Sequence, residues 1–127
     1  MHIKKEPLSG DAIPKSHLPF SPAIKSGDFL FISGQASVDG EGKIIAGSFE
    51  EECRRSFDNL KKIVEGAGLT MDHIVQVRNY VADQEDLAAF NEIYRSYFSA
   101  PFPARTTLIG CLGTILKFEV EAIARYE

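Results

Sequence analysis

The sequence predicts a two-layer α+β sandwich in which a mixed sheet carries two helices on one face. Three observations lead there. Two stretches, beginning at Ser48 and at Asp83, repeat apolar residues every three or four positions, whereas the segments between and after them alternate with period two. FLFIS, residues 29–33, is apolar on both sides of a strand, since Phe29 and Phe31 oppose Leu30 and Ile32. Two helices can cover only one face of a sheet, so the second apolar side of FLFIS is expected to pack against another copy of the chain.

The elements follow in order. Pro7, Pro14, Pro19 and Pro22 make the first part of the chain irregular. FLFIS ends at Gly34, and DGEGK, residues 39–43, is a turn joining two short extended pieces. Ser48 and Glu51 form an S-x-x-E capping box, and Phe49, Cys53, Phe57, Leu60 and Val64 lay one apolar stripe along the helix behind it. Glu50, Glu51 and Glu52 at its start and Lys61 and Lys62 toward its end suit the helix dipole, and Gly66 or Gly68 stops it, with Gly66 suited to a left-handed cap. Residues 75–82 form a strand with Val75, Val77 and Val81 on one side, interrupted by Asn79, and Gln76, Arg78 and Tyr80 on the other. Asp83 caps a second helix whose buried stripe is Leu87, Phe90, Tyr94 and Tyr97, with Ile93 adding width and Asn91 near the edge. Pro101 and Pro103 prevent its continuation. Residues 105–111 and 115–124 then read as a β pair joined by CLGT, with Leu116, Phe118, Val120, Ala122 and Ala124 facing a core and Lys117, Glu119, Glu121 and Ile123 facing away.

Bulk properties narrow the function classes. The 127 residues suit one domain, residues 1–127, of globular composition, 44% hydrophobic and 25% charged. No apolar run reaches the roughly 18 residues of a membrane span, and the start does not resemble a secretory signal, so a cytoplasmic location is the default expectation. Fourteen basic and 18 acidic residues give a net charge of −4, and the basic ones are scattered, which argues against a nucleic-acid partner. Cys53 and Cys111 are expected to be reduced core thiols, and the absence of metal-ligand spacing among cysteines and histidines argues against a metal site.

Five sets of residues could carry chemistry. Arg105 follows a P-x-P turn and opens a strand; its planar fork can hold both oxygens of a carboxylate, or it can make an ordinary surface salt bridge. Glu119 and Glu121 lie two apart on one strand face and are either an acid/base pair or solvated sheet residues. Ser33, Gly34 and Gln35 end a strand where a ligand could approach the backbone and meet a hydroxyl and an amide, or they simply reverse the chain. Asn91 could orient a ligand or tie down the turn after its helix, and Phe20 could wall a pocket or anchor the N-terminal segment.

AIKSGDFLFISGQ (23–35), SFDNLKKIVEGAGL (56–69), HIVQVRNYVAD (73–83), FNEIY (90–94), PAR (103–105) and FEVEAIA (118–124), in that order, resemble the RidA/YjgF/UK114 family of reactive intermediate deaminases. The resemblance implies a chorismate mutase-like fold and a homotrimer with clefts between subunits. It also implies cofactor-independent hydrolysis of 2-imino or enamine acids, such as 2-aminoacrylate and 2-iminopropanoate, to a 2-keto acid and ammonia. Under it Arg105 binds the substrate carboxylate, Glu119 is the active-site glutamate, and Asn91, Ser33 and Gly34 line the cleft. Two positions depart from the family: Phe20 stands where a tyrosine is frequent, and Thr107 where a cysteine is frequent. The competing functions are a non-catalytic trimer that binds a carboxylate ligand or a protein, and an endoribonuclease or translation inhibitor.

Overall fold

A six-stranded sheet backed by two helices on one face is what the chain builds, in a computed structural model that describes residues 5–10, 13 and 17–127. Along the chain these are β1 (Glu6–Pro7), β2 (Ala23–Ser26), β3 (Phe29–Ala36), α1 (Phe49–Gly66), β4 (Ile74–Val81), α2 (Leu87–Tyr97), β5 (Ala104–Ile109) and β6 (Phe118–Arg125). The strand order is β1-β2-β3-β6-β4-β5. Every neighbouring pair is antiparallel except β4 and β5. Pro14 lies outside the described residues, whereas part of the remaining N-terminal segment, expected to be irregular, pairs as β1 and the β2–β3 hairpin.

Alternation places the core. Leu30 and Ile32 of β3, and Phe118, Val120, Ala122 and Ala124 of β6, turn inward, and the stripe Phe49, Cys53, Phe57, Leu60 and Val64 of α1 meets them. Phe118 joins the layers: its ring lies 5.2 Å from that of Phe57 on α1 and 5.5 Å from that of Phe90 on α2. Such aromatic packing fixes α2 against the sheet more tightly than area alone would. Phe29 and Phe31 remain on the other face, 38% and 46% exposed, as the two-sided character of FLFIS implies.

Helix α1 starts on the expected capping box: Glu51 N–H donates to Ser48 Oγ at 3.1 Å, and Ser48 N–H donates to Glu51 Oε1 at 2.8 Å. Its end differs. Gly66 is the last helical residue, and Gly68 takes the left-handed conformation with φ of 81°, while Leu69 N–H closes the cap on the Val64 carbonyl. Lys61 and Lys62 fall short of the last turn, which holds no basic residue. Glu52, on the buried side of the first turn, accepts from Gly47 N–H, Lys117 N–H and Lys117 Nζ, tying α1 to the entry of β6.

Four further expectations are corrected. β5 and β6 do not pair; β5 runs parallel to β4 at the sheet edge, and β6 lies between β3 and β4. The long connection through α2 supplies the crossover that a parallel pair requires, whereas β6 buries its inner row by taking a central place. Val75 faces outward, 43% exposed, because the register shifts between Ile74 and Gln76 and Ile74 takes the inward place. Cys111 is exposed rather than in the core; Cys53 is buried, and desolvation pushes its thiol up to about 12. Asp83 caps a 3-10 turn, Gln84–Asp86, that leads into α2 rather than the helix itself.

Candidate functional site

Arg105 is the second residue of β5 and pairs with Val77 of β4, which is fully buried beneath the helices. Residues in register on parallel strands point the same way, so Arg105 rises on the helical face at the open edge of the sheet. There α2 receives it. Arg105 Nη2 donates to Asn91 Oδ1 at 2.6 Å, and the guanidinium carbon stands 4.7 Å from the Tyr94 ring centroid and 5.0 Å from that of Phe90. Rings and amide hold the fork while leaving most of its five N–H groups unused. Among the described residues Arg105 makes no ion pair. A depression of about 340 Å³ opens beside it, lined by Asn91, Tyr94, Arg95, Phe102, Pro103 and Arg105.

Glu119 occupies the opposite face. Its chain neighbours Phe118 and Val120 are buried toward the helices, so Glu119 points away from them, half-buried, opposite Tyr80 of β4. It lies against Gly34, where a Cβ would run into Oε2 and stand 3.0 Å from Cδ of its carboxyl. The strand does not end at Gly34 as expected but runs on to Ala36, and the bulge between Ile32 and Gln35 brings Ser33 and Gly34 there. Desolvation, and then the neighbouring charge of Glu121, hold the Glu119 carboxyl above its ordinary value. Glu121 differs: its oxygens accept from the Tyr80 hydroxyl at 2.5 Å and from Arg78 Nη1 at 3.3 Å. The two carboxylates that the sequence places alike are thus separated by their partners, with Glu119 left available.

The remaining expected residues divide between these faces. Asn91 is a support for Arg105 rather than for a turn. Thr107 pairs with the buried Asn79 of β4 and so shares the helical face with Arg105. The Ser33 hydroxyl donates to the Ser21 carbonyl at 2.6 Å, pinning the bulge, and keeps its acceptor capacity. Phe20 is 50% exposed. The candidate residues therefore form two groups, Arg105 with Asn91 and Thr107 on one face, Glu119 with Gly34 and Ser33 on the other. Sequence reasoning did not anticipate Phe90, Tyr94, Arg95 and Phe102 around Arg105. The signal was present on α2, where Asn91, Tyr94 and Arg95 fall at three- and four-residue spacing.

The family model described as Endoribonuclease L-PSP matches residues 10–126. A RutC family protein of Pyrococcus horikoshii is 38% identical, with 97% of this chain and 99% of that protein covered. The 2-iminobutanoate/2-iminopropanoate deaminase of Dermatophagoides farinae is 29% identical over 97% of this chain and 98% of its own length. Among solved structures, Escherichia coli TdcF with bound serine superposes with a TM-score of 0.85 at 30% identity, covering 96% of this chain and 99% of that one.

Proposed function

The chain belongs to the RidA/YjgF/UK114 family, and from that premise we propose that it hydrolyses 2-imino acids, with their enamine tautomers, to 2-keto acids and ammonia. The observation that carries the reading is a guanidinium held by an amide and two rings, with no acid to neutralise it among the described residues. A surface salt-bridge arginine would have such a partner. The relatives point the same way: one bears the name of an iminobutanoate/iminopropanoate deaminase, and TdcF binds serine, an amino acid with a carboxylate.

In this mechanism Arg105 grips the substrate carboxylate through two parallel N–H bonds and fixes the adjacent imine carbon. Water adds to that carbon, forming a C–O bond as the C=N π pair moves to nitrogen. Protonation of nitrogen and loss of the hydroxyl proton collapse the carbinolamine to a C=O group and free ammonia. Imine plus water thus gives keto acid plus ammonia, with no redox change. Glu119, whose raised pKa favours holding a proton, orients the water and shuttles protons between oxygen and nitrogen. Backbone groups around Gly34 and residues 107–108 complete the polar lining.

Arg105 and Glu119 stand on opposite sheet faces, so the reaction requires a neighbouring subunit to bring its Glu119 face to the Arg105 edge. Packing in a homotrimer through the side bearing Phe29 and Phe31 meets that need and covers their exposed rings. The alternative of a carboxylate-binding trimer without turnover uses the same Arg105. An RNA-cleaving role is opposed by the net charge of −4 and the scattered basic residues.

The test generates 2-iminopropanoate in situ and follows its decay with wild type and Arg105→Ala. Loss of a charge-assisted carboxylate clamp, about 3 kcal/mol, lowers kcat/KM on the order of a hundredfold. Unchanged decay in the variant rules out this assignment, and wild-type binding of pyruvate without faster imine decay selects the non-catalytic reading.

A further inference from the structure

Helix α2 brings a second cation to the Arg105 depression. Arg95 lies one turn beyond Asn91, on the same helical face, and lines the depression with Tyr94, Phe102 and Pro103. Tyr94 and Phe102 form the apolar wall, their ring centroids 6.4 Å apart. At about 340 Å³ the space falls at the lower end of small-molecule sites, roughly 300–1,000 Å³. Among the described residues no carboxylate lines it. Arg95 is exposed and, among the described residues, makes neither an ion pair nor a side-chain hydrogen bond.

A basic residue in the last turn of a helix ordinarily complements the carbonyl end of the dipole. That role accounts for a positive charge on α2, but it does not require one on the face that meets Arg105. Two guanidinium groups around one small depression repel each other, and a single carboxylate neutralises only one of them. A ligand with two acidic groups neutralises both, and its hydrocarbon link can lie against Tyr94 and Phe102.

We propose that Arg95 is a second anion subsite and that the chain prefers 2-imino acids whose side chain ends in another carboxylate. The first carboxylate takes Arg105, placing the imine carbon as in the deaminase reaction, and the distal one takes Arg95. The chemical step is unchanged: water replaces the imine nitrogen, yielding a 2-keto dicarboxylate and ammonia. The substrate class rests on the imine-deaminase reading, whereas the paired-cation site is a claim about binding that can be tested separately.

Calorimetry with 2-oxoglutarate and pyruvate, stable keto acids with two and one carboxylates, tests the subsite directly. Wild type is expected to bind the dicarboxylate about tenfold more tightly, a preference that narrows at high salt. Arg95→Ala erases the preference, Arg95→Lys keeps part of it, and Arg95→Glu reverses it. A purely structural residue would not order the variants by charge. Equal binding of the two acids by wild type, or a preference that survives Arg95→Glu, overturns the subsite. In parallel, imines of alanine and glutamate are generated by an amino-acid oxidase. If wild type accelerates neither, the deaminase reading fails while calorimetry still decides the subsite. If it accelerates both, the glutamate-to-alanine ratio of kcat/KM must fall about tenfold in Arg95→Ala, and a constant ratio counts against the proposal.

Discussion

Desolvation is the first reason that Glu119 holds its proton more readily than a free glutamate, and the charge of Glu121 adds to it. A carboxyl whose folded pKa is raised binds protons more strongly in the folded chain than in the unfolded one, so its contribution to stability has a definite sign. That contribution is complete below the ordinary value of 4.5 and is lost as the pH rises through the higher folded value. Glu119→Gln keeps the shape without the titration. Its stability relative to wild type should therefore increase from about pH 4.5 upward and then level off, and parallel urea midpoints for the two proteins across that window would contradict the assignment. Gly34 sets the position of the same group. Its need is steric rather than conformational, because a Cβ there meets the Glu119 carboxyl. Gly34→Ala should displace that side chain and reduce imine hydrolysis about tenfold or more at little cost in stability, because the group that must move is the end of a flexible side chain. Retained activity in Gly34→Ala would show that the present place of the carboxyl is not needed for the reaction.

At the level of elements, the ties that hold α1 differ in strength for physical reasons. Glu52 is 1% exposed and serves two backbone N–H groups as well as Lys117 Nζ, whereas the Lys117 side chain is 49% exposed. Removing the lysine charge leaves the carboxylate with its amides. Each carboxylate oxygen already accepts a backbone N–H, so an amide in its place sets a donor against one of them. Lys117→Met should therefore cost under about 1 kcal/mol, and Glu52→Gln about 2–3 kcal/mol. Equal losses in chemical denaturation would mean that the ion pair, not the backbone bonding, matters. The capping box joins the same turn, and Ser48→Ala should cost about 1 kcal/mol. The capping box was legible in the sequence because its partners lie a few residues apart, as were the buried rows of α1 and β6, whereas the tie between Glu52 and Lys117, 65 residues apart, was not. Nor was the β4–β5 parallel pair. Residues 105–111 and 115–124 are close in the chain and both alternate, so local pattern favours a hairpin, whereas pairing depends on which rows the whole sheet can bury. The outward turn of Val75 escaped for a similar reason, since a bulge breaks period two without changing composition. Arg105, Glu119 and Asn91 could be named from residue type and resemblance, but their faces follow from strand order.

For the molecule as a whole, strand order bears on the proposed reaction. β5 carries Arg105 toward the helices at the sheet edge, and β6 carries Glu119 to the bare face two strands inward. No side-chain rotation moves one group through the sheet to the other. If both act on one substrate, each site combines Arg105 of one subunit with Glu119 of the next, and a closed ring repeats the arrangement at every boundary. Two inactive variants should then repair each other. Arg105→Ala lacks the clamp but presents a sound Glu119 face; Glu119→Gln lacks the proton carrier but presents a sound Arg105 edge. Subunits of the two, unfolded together and reassembled in equal amounts, pair an intact edge with an intact face at about one boundary in four if mixing is random. Imine hydrolysis should recover to roughly a quarter of the wild-type value, with each variant reassembled alone remaining low. Phe31→Asp added to both variants supplies the control, because it places a charge on the exposed apolar face and should prevent both assembly and recovery. Mixed rings that form, as judged by exchange of a mass-labelled subunit, yet show no activity above their parents would exclude a site shared across the boundary.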